Sequence, residues 1–504
     1  MIQKTSTGAP IRSSDEDARL YQVAIVGGGP TGLMLAYELA LAGVDAAIVE
    51  RRETQELIGM RAGGLHMRTL EVLDQRGLGD RFVAEGERFQ MAPFHDVMLD
   101  VSDTPTRRNY FLALPQKRFE AMLADRVAEL GVPFYRGCEL SDFSQSEEAV
   151  ETRLADGRQL RSTYLVGCDG ARSAVRKLAG IEFAGWEPTK SWLIAEAQWR
   201  EEPKWGLAHD AHGTHALGQM DEAGKVRIVL VERALNRGDE PALDEVKTRL
   251  VEVYGTDFGI HDATWISRFN DRCRQAVAYR QGRVLLAGDA AHIHPPMGGQ
   301  GLNMGVQDAI NLGWKLAQVL QGVSPDTLLD TYQAERHPVA DRVLRNAMAD
   351  VALQRRDPRS VALGERMAEL AVMEAPRKFL VADRSGLAIK YDLENDHPLV
   401  GRRIPDLDIV VGGEKRRIYD YLHRARPVLF SFAGGADPVL VPGSDRVQRV
   451  SALCDAPWDL PVIGRVPTPD AVLLRPDGYV AWAGSLDDER LRDAMGFWFG
   501  GIAA

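Results

Sequence analysis

The sequence predicts an α/β protein in which a parallel-sheet unit is interrupted by an antiparallel sheet and followed by a smaller α/β unit. Three observations carry this. Residues 21–26 (YQVAIV) read as a short buried strand, residues 33–42 as a helix, and residues 44–50 (VDAAIVE) as the next strand. Residues 186–279 change character: they hold Trp192, Trp199, Trp205 and Trp265 and alternating runs such as 226–231 (VRIVLV), which suit an antiparallel sheet. The strand 283–287 (RVLLA) returns to the first unit, and the region from His397 places strands at 427–432 and 470–475, with a Pro-Asp-Gly turn at 476–478.

Between these, residues 117–130 show helical periodicity and stop at Gly131, a helix C-cap. Residues 303–321 read as a long helix, and 328–353 as another helical stretch. A chain of 504 residues exceeds what one hydrophobic core serves and predicts two to four domains. Its net charge of -11 argues against nucleic acid, which needs a basic face. Cys138, Cys168, Cys273 and Cys454 form no C-x-x-C pair, so neither zinc nor dithiol chemistry is indicated, and a reducing cytoplasmic setting fits. The first twenty residues lack an apolar h-region, no long apolar stretch predicts a membrane span, and residues 1–19 read as a mobile tail.

The turn after the first strand is Gly27-Gly28-Gly29-Pro30-Thr31-Gly32, a G-x-G-x-x-G run on Gly27, Gly29 and Gly32. Gly27 permits the tight turn, Gly29 lets a pyrophosphate approach the backbone, and Gly32 lets the helix pack on the sheet. Free N–H groups at the helix start face the phosphates. Glu50, eighteen positions after Gly32, ends a strand where a carboxylate accepts ribose hydroxyls and repels a 2′-phosphate. This fingerprint predicts a dinucleotide and does not separate FAD from NAD.

Two further motifs decide for FAD. The run 287–308 is AGDAAHIHPPMGGQGLNMGVQD. Asp289, after Gly288 at a strand end, is placed to accept from ribitol hydroxyls. The glycines that follow let backbone N–H groups approach the isoalloxazine edge, and the helix near Asn303 points its positive end at the flavin N1–C2=O region. Pro295 and Pro296 stiffen the wall beside the ring. The third motif, Cys168-Asp169-Gly170 with Ser173 and Arg176, sits at a strand-to-helix junction.

With GGGPTG, CDGARSAVR and the 287–308 run in place, the chain resembles the class A flavoprotein aromatic hydroxylases, the para-hydroxybenzoate hydroxylase and phenol hydroxylase superfamily. RAGGLHMRTLEVLDQRGL at 61–78 and TYQAERHPVADRVLRN at 331–346 extend the likeness. HPLVGRRIPDL at 397–407 and LLRPDGYVAW at 473–482 are similar to the thioredoxin-like domain of phenol hydroxylase and of bacterial aromatic polyketide hydroxylases. The resemblance implies a Rossmann-type FAD-binding domain (20–185 and 280–395), an inserted antiparallel-sheet substrate domain (186–279) and a thioredoxin-like C-terminal domain (396–504).

The same resemblance implies the chemistry. NADPH or NADH reduces FAD, the reduced flavin takes up O2 to give a C4a-hydroperoxide, and a phenol, here expected to be polycyclic, is hydroxylated. Same-fold alternatives are a Baeyer–Villiger or antibiotic-inactivating oxygenase, and another class is a flavin dehydrogenase without oxygen insertion. Arg61 resembles the Arg on the FAD phosphates and ribitol, with Arg51 beside Glu50 and Gln116 on the FAD chain. Pro30 and Thr31 lie in the phosphate turn, and Asp169 serves both FAD and nicotinamide. Pro296 lines the ring, and Arg61 and Pro296 are the residues expected nearest the chemistry. Gly299, Gly301, Leu302 and Asn303 flank the flavin O2 side. With one dinucleotide fingerprint, the nicotinamide is a transient visitor, and an acidic chain taking an anionic cosubstrate must concentrate its Arg locally.

On the substrate side, Pro295, Pro296, Met297 and Gly298 border the ring. His209, His212, His215 and Gln219 fall within eleven positions, and His215 with Gln219 is expected at the substrate, a His there serving as base on a phenol. A metal cluster is the other reading of these histidines; no metal is expected. The partner is a small aromatic molecule, with no nucleic acid and no membrane, and a monomer or homodimer is expected.

Overall fold

The computed structural model describes residues 20–500 apart from 60, 221–223, 239, 394 and 433–445. The tail expected at 1–19 lies outside the described residues. The chain enters as β1 (Leu20–Val26), α1 (Pro30–Leu41) and β2 (Ala46–Glu50), and β3 (Gln159–Gly167) leads into the short α2 (Ala174–Leu178). It leaves for an inserted sheet of β4 (Ser191–Gln198), β5 (Gly206–Asp210), β6 (Gly213–Gln219), β7 (Lys225–Val231), α3 (Leu243–Tyr254) and β8 (His261–Asn270). It returns at β9 (Val284–Leu286) and continues through α4 (Gln300–Leu320), α5 (Asp330–Leu353), α6 (Pro358–Ala371) and α7 (Glu374–Arg384). The last unit holds β10 (Val428–Ser431), β11 (Gln448–Ser451), β12 (Ala471–Leu474), β13 (Val480–Gly484) and α8 (Glu489–Phe499).

The first sheet runs β9-β3-β1-β2, all parallel, and is extended by the strand Phe134–Arg136. Parallel strands covered on both faces read as continuous apolar runs, which is why YQVAIV was legible. Helix α1 begins three residues before its predicted start because Pro30 takes the first helical position, where its missing N–H costs nothing. Helix α4 likewise starts at Gln300, directly after Gly298 (φ 75°) and Gly299 (φ 63°), whose left-handed backbone turns the chain into the helix. α1 packs across α4 where Gly288 and Gly305 leave room for the Thr31 hydroxyl, which a Cβ on either would meet at 2.4 and 2.1 Å.

The inserted sheet has the order β5-β6-β7-β4-β8 and two unlike faces. One face packs Leu193, Ala195, Ile228 and Leu230 against Val246 and Leu250 of α3. The other packs Trp192, Val229, Val231 and Phe269 against Val351 of α5 and Met297 of the loop before α4. Alternation along each strand therefore aims one set of side chains at the first unit. Helices α6 and α7 and the hairpin Met91–Phe94/Val97–Asp100 were not anticipated from the sequence.

The C-terminal sheet, β11-β10-β12-β13, docks on α4 through Trp314, Trp482, Trp498 and Phe499. Beneath that apolar contact lies a buried ionic cluster. Arg475 meets Glu335 with two bonds of 2.6 and 2.8 Å and Asp477 at 2.5 Å, and Lys315 reaches Glu335 at 3.0 Å. Arg76, paired with Glu38 at 2.6 Å, donates to the Pro476 carbonyl, and Arg68 donates to the Asp477 carbonyl. The Pro-Asp-Gly turn is thus held by cations of the first unit.

Candidate active site

The G-x-G-x-x-G turn is built as its spacing requires. Gly27 has φ 109°, and a Cβ there would overlap the Cys168 carbonyl at 2.2 Å. A Cβ on Gly32 would lie 1.9 Å from the Gly27 carbonyl. Gly29, by contrast, has nothing within 4 Å of where its Cβ would be, so its outer side is open to a ligand.

Glu50 is buried at the end of β2. It accepts from the Gly28 N–H at 2.6 Å and from Arg52 through the backbone N–H (2.9 Å) and Nε (3.1 Å). Burial pushes its carboxyl up, but the Arg52 hydrogen bonds and charge outweigh this and hold it below the ordinary range. Expected to take both ribose hydroxyls, it has most of its acceptor positions engaged within the chain, because Arg52 folds back two residues later. Gln116 is also engaged: it donates to Glu120 at 2.7 Å and accepts from the Ala62 N–H at 3.2 Å, tying the 61–63 loop to the helix Gln116–Glu129. Arg52 and Gln55, which both donate to the Gly28 carbonyl at 3.0 Å, complete this side and were missed; no motif spacing marks them. Arg51 and Arg61 are exposed.

The other two motifs are locked together. Arg176 donates to the Ala290 carbonyl at 2.7 Å and to the Ala171 carbonyl at 3.0 Å, and lies over the Phe183 ring. Asp169 accepts from Ala174 N–H (2.6 Å) and Val175 N–H (3.1 Å) with one oxygen, while its other oxygen is buried with no partner among the described residues. Asp308 sits under the Gly288 turn: it receives the Gly288 N–H at 3.1 Å and Arg336 at 2.7 Å, and pairs with His292 at 2.6 Å. Asp289 itself is exposed between buried Gly288 and Ala290 and bonds no described residue. His294 shares its neighbourhood: both lie within 4 Å of a Cβ built on Gly301. Its Nδ1 donates to the Pro295 carbonyl at 2.7 Å, so Nε2 is left as a buried acceptor without a partner among the described residues. Its only sequence signal was its place inside the 287–308 run.

These features fit FAD. An open glycine turn, two carboxylates with vacant acceptor oxygens and the first turn of α4 lie along one edge of the parallel sheet, where such folds bind dinucleotides. Gly299, Gly301 and Leu302 belong to the start of α4, whose first N–H groups have no intrahelical partner. The Asn303 side-chain amide accepts from His66 N–H at 2.8 Å and donates to the Gly299 and Gly64 carbonyls, so it pins two loops together. Substituting Asp289→Ala should leave folding unchanged but weaken FAD binding at least about tenfold, as for a lost charge-assisted hydrogen bond. A fluorescence titration of the apoprotein with FAD measures this, and unchanged affinity would remove Asp289 from the site.

Beside the ring position, Pro296 and Gly298 are exposed, Pro295 is buried, and Met297 is half-buried against Trp192 and Val351. His66 and Arg384 adjoin this loop and were missed. His66 Nδ1 and Gln300 Nε2 both donate to the Arg384 carbonyl, at 3.0 and 3.2 Å. Burial holds the His66 pKa down to about 4. Since its ordinary value of 6.5 applies unfolded, the folded state binds fewer protons, so stability is full above pH 6.5 and is lost as pH falls toward 4. The loss should reach about 3 kcal/mol at most. Urea unfolding at pH 7.5 and 5 should show it, and His66→Gln should flatten the dependence.

The substrate expectation for His215 and Gln219 is corrected by the pleat. His215 pairs with Ala208 and Gln219 with Val226, which puts both on the α3 face, away from the flavin loop. His215 is fully buried; its Nδ1 accepts from the Val231 N–H at 3.1 Å and its Nε2 lies 3.1 Å from Asp210. His209 and Thr214 take the inner face instead, where Arg356 reaches them at 2.7 and 3.2 Å. Among the described residues no group of three His, Cys, Asp or Glu side chains could hold a metal ion.

Residues 20–347 match a family model described as an FAD binding domain, and residues 397–501 match one described as aromatic-ring hydroxylase, C-terminal. The chain is 42% identical to a rifampicin monooxygenase of Streptomyces venezuelae over 96% of this chain and 100% of the relative. It is 41% identical to an anhydrotetracycline monooxygenase of Streptomyces rimosus over 95% of this chain and 99% of the relative. Its fold superposes on the solved OxyS anhydrotetracycline hydroxylase from Streptomyces rimosus with a TM-score of 0.88, at 41% identity, over 96% of this chain and 100% of that one.

Proposed function

The chain belongs to the FAD-dependent aromatic-ring hydroxylase family, and from that premise we propose that it hydroxylates a polycyclic phenol, consuming NADPH or NADH and O2. It is an FAD-dependent monooxygenase. Bound FAD supplies the hydride acceptor and the oxygen-activating centre. The chain's own residues bind and shield it: Gly29 and the α1 start take the pyrophosphate, Asp289 the ribitol, and the start of α4 places its positive end at the pyrimidine edge.

The observation that carries the substrate class is the likeness, over almost the whole chain, to proteins named for anhydrotetracycline and rifampicin. Trp192 and Phe269 stack with centroids 5.2 Å apart and planes 5° from parallel, and both pack in one cluster with Met297. Trp192 is buried, so this pair is a packed backing that fixes the Met297 loop against the inserted sheet. Relatives whose names carry anhydrotetracycline and rifampicin support a large substrate. The rifampicin-named relative also keeps an antibiotic-modifying reading in view.

We place the FAD-binding unit at 20–185 with 280–395, the substrate unit at 186–279 and the C-terminal unit from 396, acting as monomer or homodimer in the cytosol. There the four cysteines, none of which forms a disulfide, persist as thiols. No helix among the described residues is long and apolar enough to cross a membrane. The test is NAD(P)H oxidation and oxygen uptake by the FAD-loaded protein with product mass recorded. We expect the mass of one oxygen added to a tetracyclic phenol, and faster NAD(P)H oxidation in its presence. Insertion into small phenols alone would overturn the polycyclic assignment.

A further inference from the structure

A second cavity, of 300 Å³, lies where the inserted sheet meets the junction of α5 and α6. Its wall brings together Lys190, Arg233, Arg355 and Arg356 against only two carboxylates, Glu232 and Asp357. In a chain of net charge -11 this is a marked local excess of cations. The two carboxylates are already engaged. Glu232 pairs with Arg268 at 3.0 Å, and Asp357 caps α6 by accepting from Ser360 N–H and Oγ while meeting Arg355 at 3.3 Å. The Lys190 ammonium donates to the His212 carbonyl at 3.2 Å, and Arg233 turns outward to Glu252 at 3.0 Å. Arg356 Nε is buried with no partner among the described residues, while its Nη1 lies 3.9 Å from Asp96, which is outside the cavity wall. A single carboxylate is satisfied by one arginine fork; three arginines and a lysine from three segments suit a phosphate.

The flavin's own phosphates have their place at the Gly27–Gly32 turn, in the other unit. A monooxygenase that consumes NAD(P)H must still hold the phosphates of a second dinucleotide, and the chain carries one glycine-rich fingerprint. We propose that this cavity binds a phosphate group of the nicotinamide cosubstrate. The position suits it. Lys190 is two residues from Trp192 and Arg355 four residues beyond Val351, just past the end of α5, and both apolar residues share a cluster with Met297. Arg356 extends from the cavity to His209 on the sheet face that looks toward the flavin loop. Burial, then the charge of Arg355, holds the Lys190 pKa below its ordinary value, against the opposing charges of Asp271 and Asp210.

The inference rests on the monooxygenase reading, so the test separates binding from turnover. Arg233 and Arg355 are exposed, at 61% and 63% of their side-chain area, so Arg233→Gln/Arg355→Gln should fold and retain FAD. Calorimetric titration of the FAD-loaded protein with NADP+ should give a Kd at least about tenfold weaker in the variant. In turnover the KM for NADPH should rise equally at unchanged kcat and unchanged KM for the aromatic substrate, and inorganic phosphate should compete with NADPH in the wild type only. A Kd within about twofold of wild type, or a loss confined to the aromatic substrate, would overturn the proposal. A wild-type protein that oxidises no NAD(P)H with any aromatic would count against the monooxygenase reading, while the NADP+ titration would still decide the cavity.

Discussion

Arg475→Ala should lower the stability of the folded chain by about 3–5 kcal/mol, the cost of leaving buried charge unpaired. The side chain is wholly buried among Trp314, Trp498, Tyr391 and Tyr479. It neutralises two carboxylates that have few other cations: Glu335, which keeps Lys315 at 3.0 Å, and Asp477, which keeps only neutral donors such as Trp314 Nε1 at 3.2 Å. Removing the guanidinium leaves two anions facing one ammonium in a dry site. Arg475→Lys preserves the charge but not the two-pronged geometry toward Glu335, so it should fall between wild type and Ala. Urea unfolding followed by tryptophan fluorescence measures all three proteins. A midpoint for Arg475→Ala indistinguishable from wild type would mean that the apolar contact alone holds the C-terminal unit.

The second large effect separates two glycines three positions apart. Gly32→Ala should give no folded protein, since its Cβ would lie 1.9 Å from the Gly27 carbonyl and neither backbone segment can yield without breaking the turn. Gly29→Ala should fold normally, because nothing lies within 4 Å of the new methyl group. Its effect should appear only when a pyrophosphate must approach: FAD affinity should fall at least about a hundredfold, or ~2.7 kcal/mol. Circular dichroism of the apoproteins and FAD titration distinguish the two. A yellow Gly29→Ala protein of wild-type affinity would place the pyrophosphate elsewhere.

The parts of the molecule that were legible share a physical cause. Gly27, Gly32 and Gly288 occupy places where a Cβ collides with backbone or with Thr31, so their spacing carries structure directly. Buried parallel strands announce themselves as unbroken apolar runs. What stayed hidden depends on contacts remote in sequence or on which way a strand's pleat falls. Arg384 meets His66 across 318 residues, and no local pattern marks it. His215 and Gln219 stood close to the right strand, but alternation sends them to the α3 face, and only the register with β7 reveals it. Arg475 and Asp477 sit in a turn motif that reads as solvent-exposed, yet both are completely buried. Helix α6 carries apolar residues on its outer side, Leu363 and Leu370 among them, which blurred its periodicity.

Helix α4 starts at the glycine turn proposed to face the flavin, and carries Asn311, Trp314 and Lys315 into the C-terminal clamp. Gln300 and Asn311 are about 16 Å apart at 1.5 Å per residue. The helix is therefore a shared beam: one end is pinned by Gln300 and Asn303 to Arg384, His66 and Gly64, and the other is bolted to the C-terminal residues. The C-terminal unit and the glycine turn before α4 thus share one rigid element, so a disturbance of the clamp is expected to register in FAD affinity as well as in stability.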